Sequence, residues 1–267
     1  MTATWRLLID DGPADGAWNM ALDRAIQLAR QAGTVPPTLR LYEWLRPTVT
    51  LGRFQSAESV DAAFCSGQGI DLVRRQTGGR GVLHDDEVTY SVIAGIEDGV
   101  PRGTSASYRM LCGGVAGAYR RLGVDASLTS RSRGSRDSAA CYLHATKADL
   151  SLGPRKLSGS AQVWTAETVL QHGSFTISRD SAREASVFRL SSVEEERLSL
   201  ETVTLETALG FKPSRASIRE ALAEGFAQSL GVHVRVGPVS PGEHETAARL
   251  RLELLDHLDG REPIGSG

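Results

Sequence analysis

Three stretches of the sequence bring reactive or ligand-binding residue types close together. The first, RRQTGGRGVLHD at 74–85, combines three glycines with three arginines and a histidine. Glycines let a backbone approach a ligand closely, and N–H groups and guanidinium forks suit a phosphate, a carboxylate or a carbonyl oxygen. The stretch lacks the GxxxxGK[ST] and GxGxxG patterns of nucleotide loops, and by itself it fits an arginine-rich hairpin turn equally well.

The second stretch, KLSGSAQ at 156–162, surrounds Lys156 with small residues and is followed by His172 in LQHGS. A strand with so few side chains to pack indicates that a ligand or another backbone lies against it. By residue type alone, Lys156 is more often an ordinary exposed lysine. His172 is equally compatible with a core histidine whose hydrogen bonds are satisfied.

The third stretch, SAACYLHATKADL, contains Cys141. Cys112 falls on the apolar stripe of a predicted helix and Cys65 near a helix end, so we expect both to be small buried hydrophobic residues. Cys141 instead follows a basic polar loop at 131–140, where nearby arginines favour the reactive thiolate form. From the residue type alone, a structural role for Cys141 is still the commoner outcome.

The composition narrows the classes of protein that the chain can represent. Its 267 residues carry a formal net charge of -2, which argues against general binding to nucleic acid or to acidic membranes. No uncharged apolar run approaches the roughly 20 residues that cross a bilayer, and MTATWRLLIDDG does not have the pattern of a signal peptide. The three cysteines form no CxxC metal pair and no even disulfide framework. We therefore expect a cytoplasmic protein without a bound metal.

The pattern of apolar residues predicts a mixed α/β chain in which the glycine-rich stretch connects two strands. Strands are predicted at 5–10, 38–45, 49–54, 71–76, 88–95 and 148–178, the last range holding several, with VHVRV as a later strand. Helices are predicted at 17–30, 57–65, 105–122, 214–230 and 242–258. No repeat or linker divides the chain, so we expect a single domain over 1–260 and a loose tail at 261–267.

Together, the three stretches resemble the biotin/lipoate protein ligase superfamily, and within it the cysteine-dependent octanoyltransferase branch (octanoyl-[acyl carrier protein]:protein N-octanoyltransferase). The resemblance covers most of the chain, beginning with TWRLLIDDGPADGAWNMALDRAI and PPTLRLYEW. In that branch a cysteine precedes the substrate-binding lysine by fifteen positions, as Cys141 precedes Lys156. The resemblance implies an α/β (α+β) fold like that of biotin protein ligases and class II aminoacyl-tRNA synthetases, with a twisted, mostly antiparallel sheet flanked by helices.

The resemblance also implies roles for individual residues. Cys141 matches the catalytic nucleophile, and Lys156 matches the catalytic lysine that contacts the acyl carbonyl. Substrate binding is implied for residues of the glycine-rich stretch and of the later strands, namely Arg75, Thr77, Gly78, Gly79, Arg80, Gly81, His84, Gly159, Ser160, Ala161, His172 and Gly173. The C-terminal LLDHLDGREP departs from the branch in lacking a terminal tryptophan.

The reaction implied by the resemblance uses octanoyl-acyl carrier protein as donor. The acceptor is a lysine of a lipoyl-domain protein, such as the glycine cleavage H protein or a dehydrogenase E2 subunit. Because a thioester is already activated, a cysteine accepts the acyl group by exchange, and no cofactor is needed. Carrier proteins are acidic, so we expect a docking surface formed by the arginines Arg74, Arg75, Arg131, Arg133 and Arg136.

Three alternatives remain open at the level of sequence. An ATP-dependent lipoate-protein ligase would need an adenylate site, and ligases of the superfamily commonly have Gly-Asn where this chain has Glu87-Val88. An octanoyl amidotransferase between lipoyl domains would use the same cysteine. A non-catalytic acyl-protein binding module would not become acylated, but the cysteine and the lysine at the expected spacing argue against it.

Overall fold

A computed structural model of the protein describes residues 2–128, 139–143 and 149–258. The predicted tail at 261–267 and the arginines Arg131, Arg133 and Arg136 lie outside the described residues. None of the described helices is both long enough and apolar enough to cross a bilayer.

The described part of the chain contains strands and helices in the predicted order. The strands are β1 (Thr4–Ile9), β2 (Thr38–Tyr42), β3 (Thr48–Leu51), β4 (Asp71–Arg74), β5 (Val82–His84), β6 (Glu87–Gly95), β7 (Ser127–Leu128), β8 (Leu150–Leu152), β9 (Arg155–Ser158), β10 (Ser160–Thr165), β11 (Thr168–Thr176) and β12 (His233–Val236). The helices are α1 (Gly16–Gln31), α2 (Ala62–Gly67), α3 (Thr104–Arg121), α4 (Ser181–Phe188), α5 (Ser192–Glu201), α6 (Leu205–Leu209), α7 (Arg215–Leu230) and α8 (Pro241–Leu258). Of these, β7 and the helices α4, α5 and α6 have no separately predicted bounds.

A six-stranded sheet forms the centre of the fold, with the strand order β10-β11-β6-β2-β1-β12. The pairs from β10 to β2 are antiparallel, and β1 pairs in parallel with both β2 and β12. The mostly antiparallel sheet predicted from the resemblance is therefore confirmed.

Helices cover both faces of this sheet because side chains alternate between the faces along each strand. Val92 and Val169 face a core built with α3 and α7, whereas the adjacent residues Ile93 and Leu170 face a core built with α1 and α8. Because both faces are covered, every residue of β6 and all but one residue of β11 are buried.

Two small sheets position the glycine-rich stretch and Lys156. The first has the order β4-β3-β5, and the glycine-rich stretch connects β4 to β5. The second has the order β7-β8-β9 and carries Lys156 on β9. The chain continues from β9 into β10, so the second small sheet leads directly to the edge of the central sheet.

Candidate active site

Cys141 is attached to the glycine-rich stretch through its backbone. Its N–H donates to the carbonyl of Gly81 at 2.9 Å, and the N–H of Gly81 donates to the carbonyl of Ala139 at 3.1 Å. A Cβ at Gly81 would lie 2.4 Å from the ring of Phe188 on α4, so the tight contact requires a glycine. The side chain of Cys141 is half-buried.

Lys156 lies beside Cys141 in a buried position. Its Nζ donates to the backbone carbonyl of Cys141 at 3.0 Å and lies 3.9 Å from the Sγ atom. The same ammonium is 3.1 Å from Oδ2 of the buried carboxylate Asp149. Burial lowers the pKa of Lys156, but the charges of the Cys141 thiolate and of Asp149 outweigh this effect and raise it above its ordinary value. Lys156 therefore stays cationic beside the sulfur of Cys141.

The other two cysteines have the buried environments expected from their positions. Burial raises the pKa of the Cys65 thiol, and it raises the pKa of the Cys112 thiol to about 12. Both residues therefore remain in the unreactive thiol form at neutral pH.

A cavity of about 360 Å³ opens at Cys141 and Lys156. This volume falls at the small end of the roughly 300–1,000 Å³ that is common for small-molecule sites. Apolar and aromatic side chains contribute much of the wall, namely Met20, Tyr42, Trp44, Val82 and Tyr142. The cavity is therefore suited to a short alkyl chain whose carbonyl lies at the cysteine.

Most of the substrate-binding residues implied by the resemblance line this cavity, namely Arg75, Gly79, Arg80, His84, Gly159, Ser160, Ala161, His172 and Gly173. Thr77, Gly78 and Gly81 are not among the described lining residues, but each contacts a residue that is. Sequence analysis did not identify Asp149, although it lies on the wall beside Lys156.

Arg75 holds the glycine-rich stretch in shape. Its guanidinium donates to the carbonyls of Gly78 and Arg80, both at 2.8 Å, and to the carbonyl of Thr50 at 2.9 Å. The side chain is only 4% exposed, so the prediction that Arg75 belongs to a surface for carrier docking is wrong. A buried charge without hydrogen-bond partners is costly. Each nitrogen of the Arg75 guanidinium accordingly donates to at least one oxygen atom.

Two buried chains of hydrogen bonds converge on Arg75. In one, Thr50 Oγ1 accepts from Arg75 at 3.1 Å and contacts Nε2 of His84 at 2.9 Å. In the other, Thr77 Oγ1 accepts from Arg75 at 3.0 Å and contacts Nε2 of His172 at 2.7 Å. Because each threonine oxygen accepts from Arg75, its hydroxyl hydrogen is available to the histidine.

A carboxylate orients each of these two histidines. Nδ1 of His84 lies 2.8 Å from Glu87, and Nδ1 of His172 lies 3.6 Å from Asp23. Burial raises the pKa of both carboxyls, but their cationic and hydrogen-bonding neighbours prevail and hold it below the ordinary value. Burial lowers the pKa of His172, which keeps its ring neutral at neutral pH.

Gly52 makes the closest approach to the glycine-rich stretch. A Cβ at Gly52 would lie 1.9 Å from the carbonyl oxygen of Gly79, which is a distance that no packed atom tolerates. Gly52→Ala should therefore displace the loop and lower the rate of acyl transfer by about 100-fold, the order of effect expected for a 1 Å misplacement. Steady-state kinetics and thermal unfolding will measure the change.

Gly67→Ala is the matched control, because a Cβ at this position meets no atom within 4 Å. Its activity should stay close to that of the unmodified protein. Equal activity in the two variants would show that the contact between Gly52 and Gly79 does not shape the site.

Comparison with known sequences identifies the family of proteins to which this fold and cavity belong. Residues 15–227 match the family described as lipoyl protein ligase A/B catalytic domain, and the chain belongs to that family. The octanoyltransferase LipM of Kyrpidia tusciae is 39% identical, with 94% of this chain and 96% of the relative covered. The octanoyltransferase LipM of Moorella thermoacetica is 38% identical, with 93% and 94% covered. The predicted octanoyltransferase resemblance is confirmed, and the chain is an acyltransferase.

Solved structures of lipoate-protein ligases share the fold. A lipoate-protein ligase A bound with ATP superposes with a TM-score of 0.77 at 26% identity, over 95% of each chain. A bipartite lipoate protein ligase from Thermoplasma acidophilum, studied with its E2 lipoyl domain, gives a TM-score of 0.75 at 23% identity, over 95% of this chain and 93% of that one. These ligases thus share the fold of this chain.

Proposed function

We propose that this acyltransferase carries an octanoyl group from octanoyl-acyl carrier protein, through a thioester on Cys141, to a lysine of a lipoyl-domain protein. The observation that carries the proposal is the pairing of Cys141 with the buried cation Lys156 at the opening of an apolar cavity. The octanoyltransferase names of the relatives support the acyl group. The E2 lipoyl domain of the archaeal ligase supports the class of acceptor.

In the first half of the reaction, the Cys141 thiolate attacks the carbonyl carbon of the donor thioester. Negative charge then collects on the carbonyl oxygen, and the Lys156 ammonium, 3.9 Å from Sγ, is placed to stabilise it. The bond to the donor sulfur breaks, and the released thiolate takes a proton to become the thiol of the carrier.

In the second half, the neutral amine of the acceptor lysine attacks the thioester on Cys141. The carbon–sulfur bond breaks, the sulfur leaves as a thiolate beside Lys156, and the nitrogen loses a proton to give the amide. The energy of the first thioester is retained in the second, so the transfer proceeds without nucleotide.

The cavity also supports selection for a medium acyl chain. Burial contributes about 0.8 kcal/mol per methylene, so an octanoyl chain gains several kcal/mol from apolar walls such as Met20, Trp44 and Val82. We assign the contacts around the acyl carbonyl to Gly79, Arg80, Ser160 and Ala161, which line the same cavity as Lys156.

Transfer from octanoyl-acyl carrier protein should reach its full rate without ATP. The reason is that the donor is already activated, and the same fold in a ligase is known with bound ATP, so nucleotide dependence separates the two activities. Intact-mass spectrometry of an H protein or an E2 domain, incubated with enzyme and donor, will detect the octanoyl group.

Two further incubations complete this experiment. Free octanoate with ATP should give no product, and a requirement for both would establish a ligase instead. An octanoylated lipoyl domain supplied as donor tests the amidotransferase alternative, which predicts faster transfer from that domain than from the carrier protein.

A further inference from the structure

Phe54 is the most exposed large apolar side chain of the described residues, at 86%. It lies in the 52–55 loop, which follows β3 and is packed against the glycine-rich stretch through Gly52. Large aromatic side chains that stand free on a surface are common at the centres of protein–protein contacts. The exposure of Phe54, on a loop that contacts the glycine-rich stretch, therefore indicates a contact surface for a protein that delivers or receives the substrate.

The 52–55 loop is held firmly in place. Nη1 of Arg74 donates to the carbonyls of Gly52 and Gln55, both at 2.7 Å. The N–H of Arg53 donates to the carbonyl of Thr77 at 2.9 Å. Arg74, predicted to contact a carrier directly, thus supports this loop. A rigid loop presents Phe54 in one arrangement and reduces the entropy lost on binding.

Arg53 lies beside Phe54, and Arg24 on α1 lies within electrostatic reach of Arg53. The guanidinium of Arg53 lies 5.3 Å from the centre of the Phe54 ring. On α1, burial lowers the pKa of Arg24, and repulsion from Arg53 lowers it further. Within the described part of the chain, neither arginine forms an ion pair with a carboxylate. An acidic partner would relieve the repulsion between them.

A groove of about 560 Å³ adjoins the catalytic cavity. Gly79, Ser160 and Ala161 line both spaces, and Arg109 also lines the groove. On a carrier protein, the acyl group is attached to the end of a long polar arm. This arm needs a path along which its thioester can reach Cys141, whereas the shorter side chain of an acceptor lysine does not need a path of this length.

We propose that Phe54, Arg53 and Arg24 form the docking surface for the acidic carrier protein that donates the acyl group, with its arm following the adjoining groove to Cys141. This inference rests on the proposed function and adds the location of the donor. Phe54 contributes apolar contact at the centre, and the two arginines attract the acidic surface and orient it.

The test measures the two half-reactions separately. The variant Phe54→Ala/Arg53→Glu is compared with Val236→Ala/Arg235→Glu, a pair of exposed residues on β12 at the opposite edge of the central sheet from β10. Acylation of Cys141 is followed by intact mass with octanoyl-acyl carrier protein and, in parallel, with octanoyl-pantetheine. Transfer from the acylated enzyme to a lipoyl domain is measured last.

The docking surface predicts a loss of at least tenfold in acylation by the carrier protein for Phe54→Ala/Arg53→Glu, and little change for the β12 variant. Acylation by octanoyl-pantetheine and transfer to the lipoyl domain should change less than twofold. High salt should slow acylation of the unmodified enzyme by the carrier protein, but not by octanoyl-pantetheine.

Every other outcome overturns the proposal. Equal losses with both donors would mean that the loop shapes the cavity, and a loss confined to the second half-reaction would assign the surface to the acceptor. No loss at all would show that the carrier docks elsewhere. If neither donor acylates the unmodified enzyme, the proposed function fails, and the docking surface fails with it.

Discussion

Lys156→Arg should lower the rate of octanoyl transfer by about 10²–10³-fold, although the positive charge is retained. The Lys156 ammonium contacts the carbonyl of Cys141, its sulfur and the carboxylate of Asp149 within one small volume. The planar guanidinium of arginine is larger and cannot reproduce this compact geometry. Stopped-flow or quenched acylation kinetics will measure the loss in the first half-reaction.

A surface substitution of the same type provides the control. The half-exposed Lys212 forms an ion pair with Asp86, with 2.7 Å between Nζ and Oδ2. Neither residue lines the cavity, so Lys212→Arg should keep full activity. Lys156→Met should lose activity and also unfold more easily, because it removes the ammonium that lies 3.1 Å from the buried carboxylate of Asp149. Full activity in Lys156→Arg would mean that charge alone is sufficient at this position.

Cys141→Ala should abolish both the octanoyl adduct and turnover. Removing the nucleophile of an enzyme that works through a covalent intermediate typically costs 10⁴-fold or more, about the largest effect of any single substitution. Cys65→Ala and Cys112→Ala should retain the adduct, because burial keeps both side chains as unreactive thiols. Their expected cost is about 1 kcal/mol in stability, from lost packing.

Intact-mass spectrometry followed by peptide mapping will locate the adduct. An octanoyl mass increment that survives in Cys141→Ala, or that maps to the peptide containing Cys112, would contradict the assignment of Cys141 as the nucleophile.

Much of the fold was predictable because its strands and helices obey simple periodicities. The helix predicted at 17–30 is found at Gly16–Gln31, and the strand predicted at 88–95 is found at Glu87–Gly95. The strand predicted at 49–54 stops at Leu51, because Gly52 packs against Gly79. That contact joins segments far apart in the sequence, and no local pattern reveals it.

Local capping explains another difference from the prediction. The helix predicted at 57–65 is divided into a short 3-10 turn, Ala57–Ser59, and α2. Asp61 starts α2 by accepting from the N–H of Phe64 at 2.9 Å. An aspartate three residues before an apolar residue is a common helix start, so this boundary was within reach of sequence analysis.

In the site, the resemblance named the cysteine and the lysine that lie together, but not every charged group beside them. The resemblance paired Cys141 with Lys156, and the two lie together in the structure. The sequence pattern indicates only a strand around Asp149, although this residue provides the carboxylate beside Lys156. Only the β8–β9 hairpin brings these two residues together, so the pairing depends on the register of the strands.

Asp23 and Arg40 did leave a signal in the sequence. Arg40 occupies the middle of the buried strand TLRLY, and its guanidinium lies 2.8 Å from the carboxylate of Asp23. A charge in an otherwise apolar strand requires a buried partner, and Asp23 lies among the apolar residues of α1. The link from Asp23 to His172 and the glycine-rich stretch still required the tertiary structure.

The most direct test of the covalent route is a single-turnover chase. Enzyme acylated on Cys141 is freed of donor and mixed with a lipoyl-domain protein in the absence of nucleotide, and both masses are followed over time. With a thioester intermediate, the octanoyl increment should leave the enzyme and appear on the acceptor lysine at a rate no slower than steady-state turnover. An increment that stays on Cys141, or that moves only when fresh donor is added, would contradict a thioester intermediate.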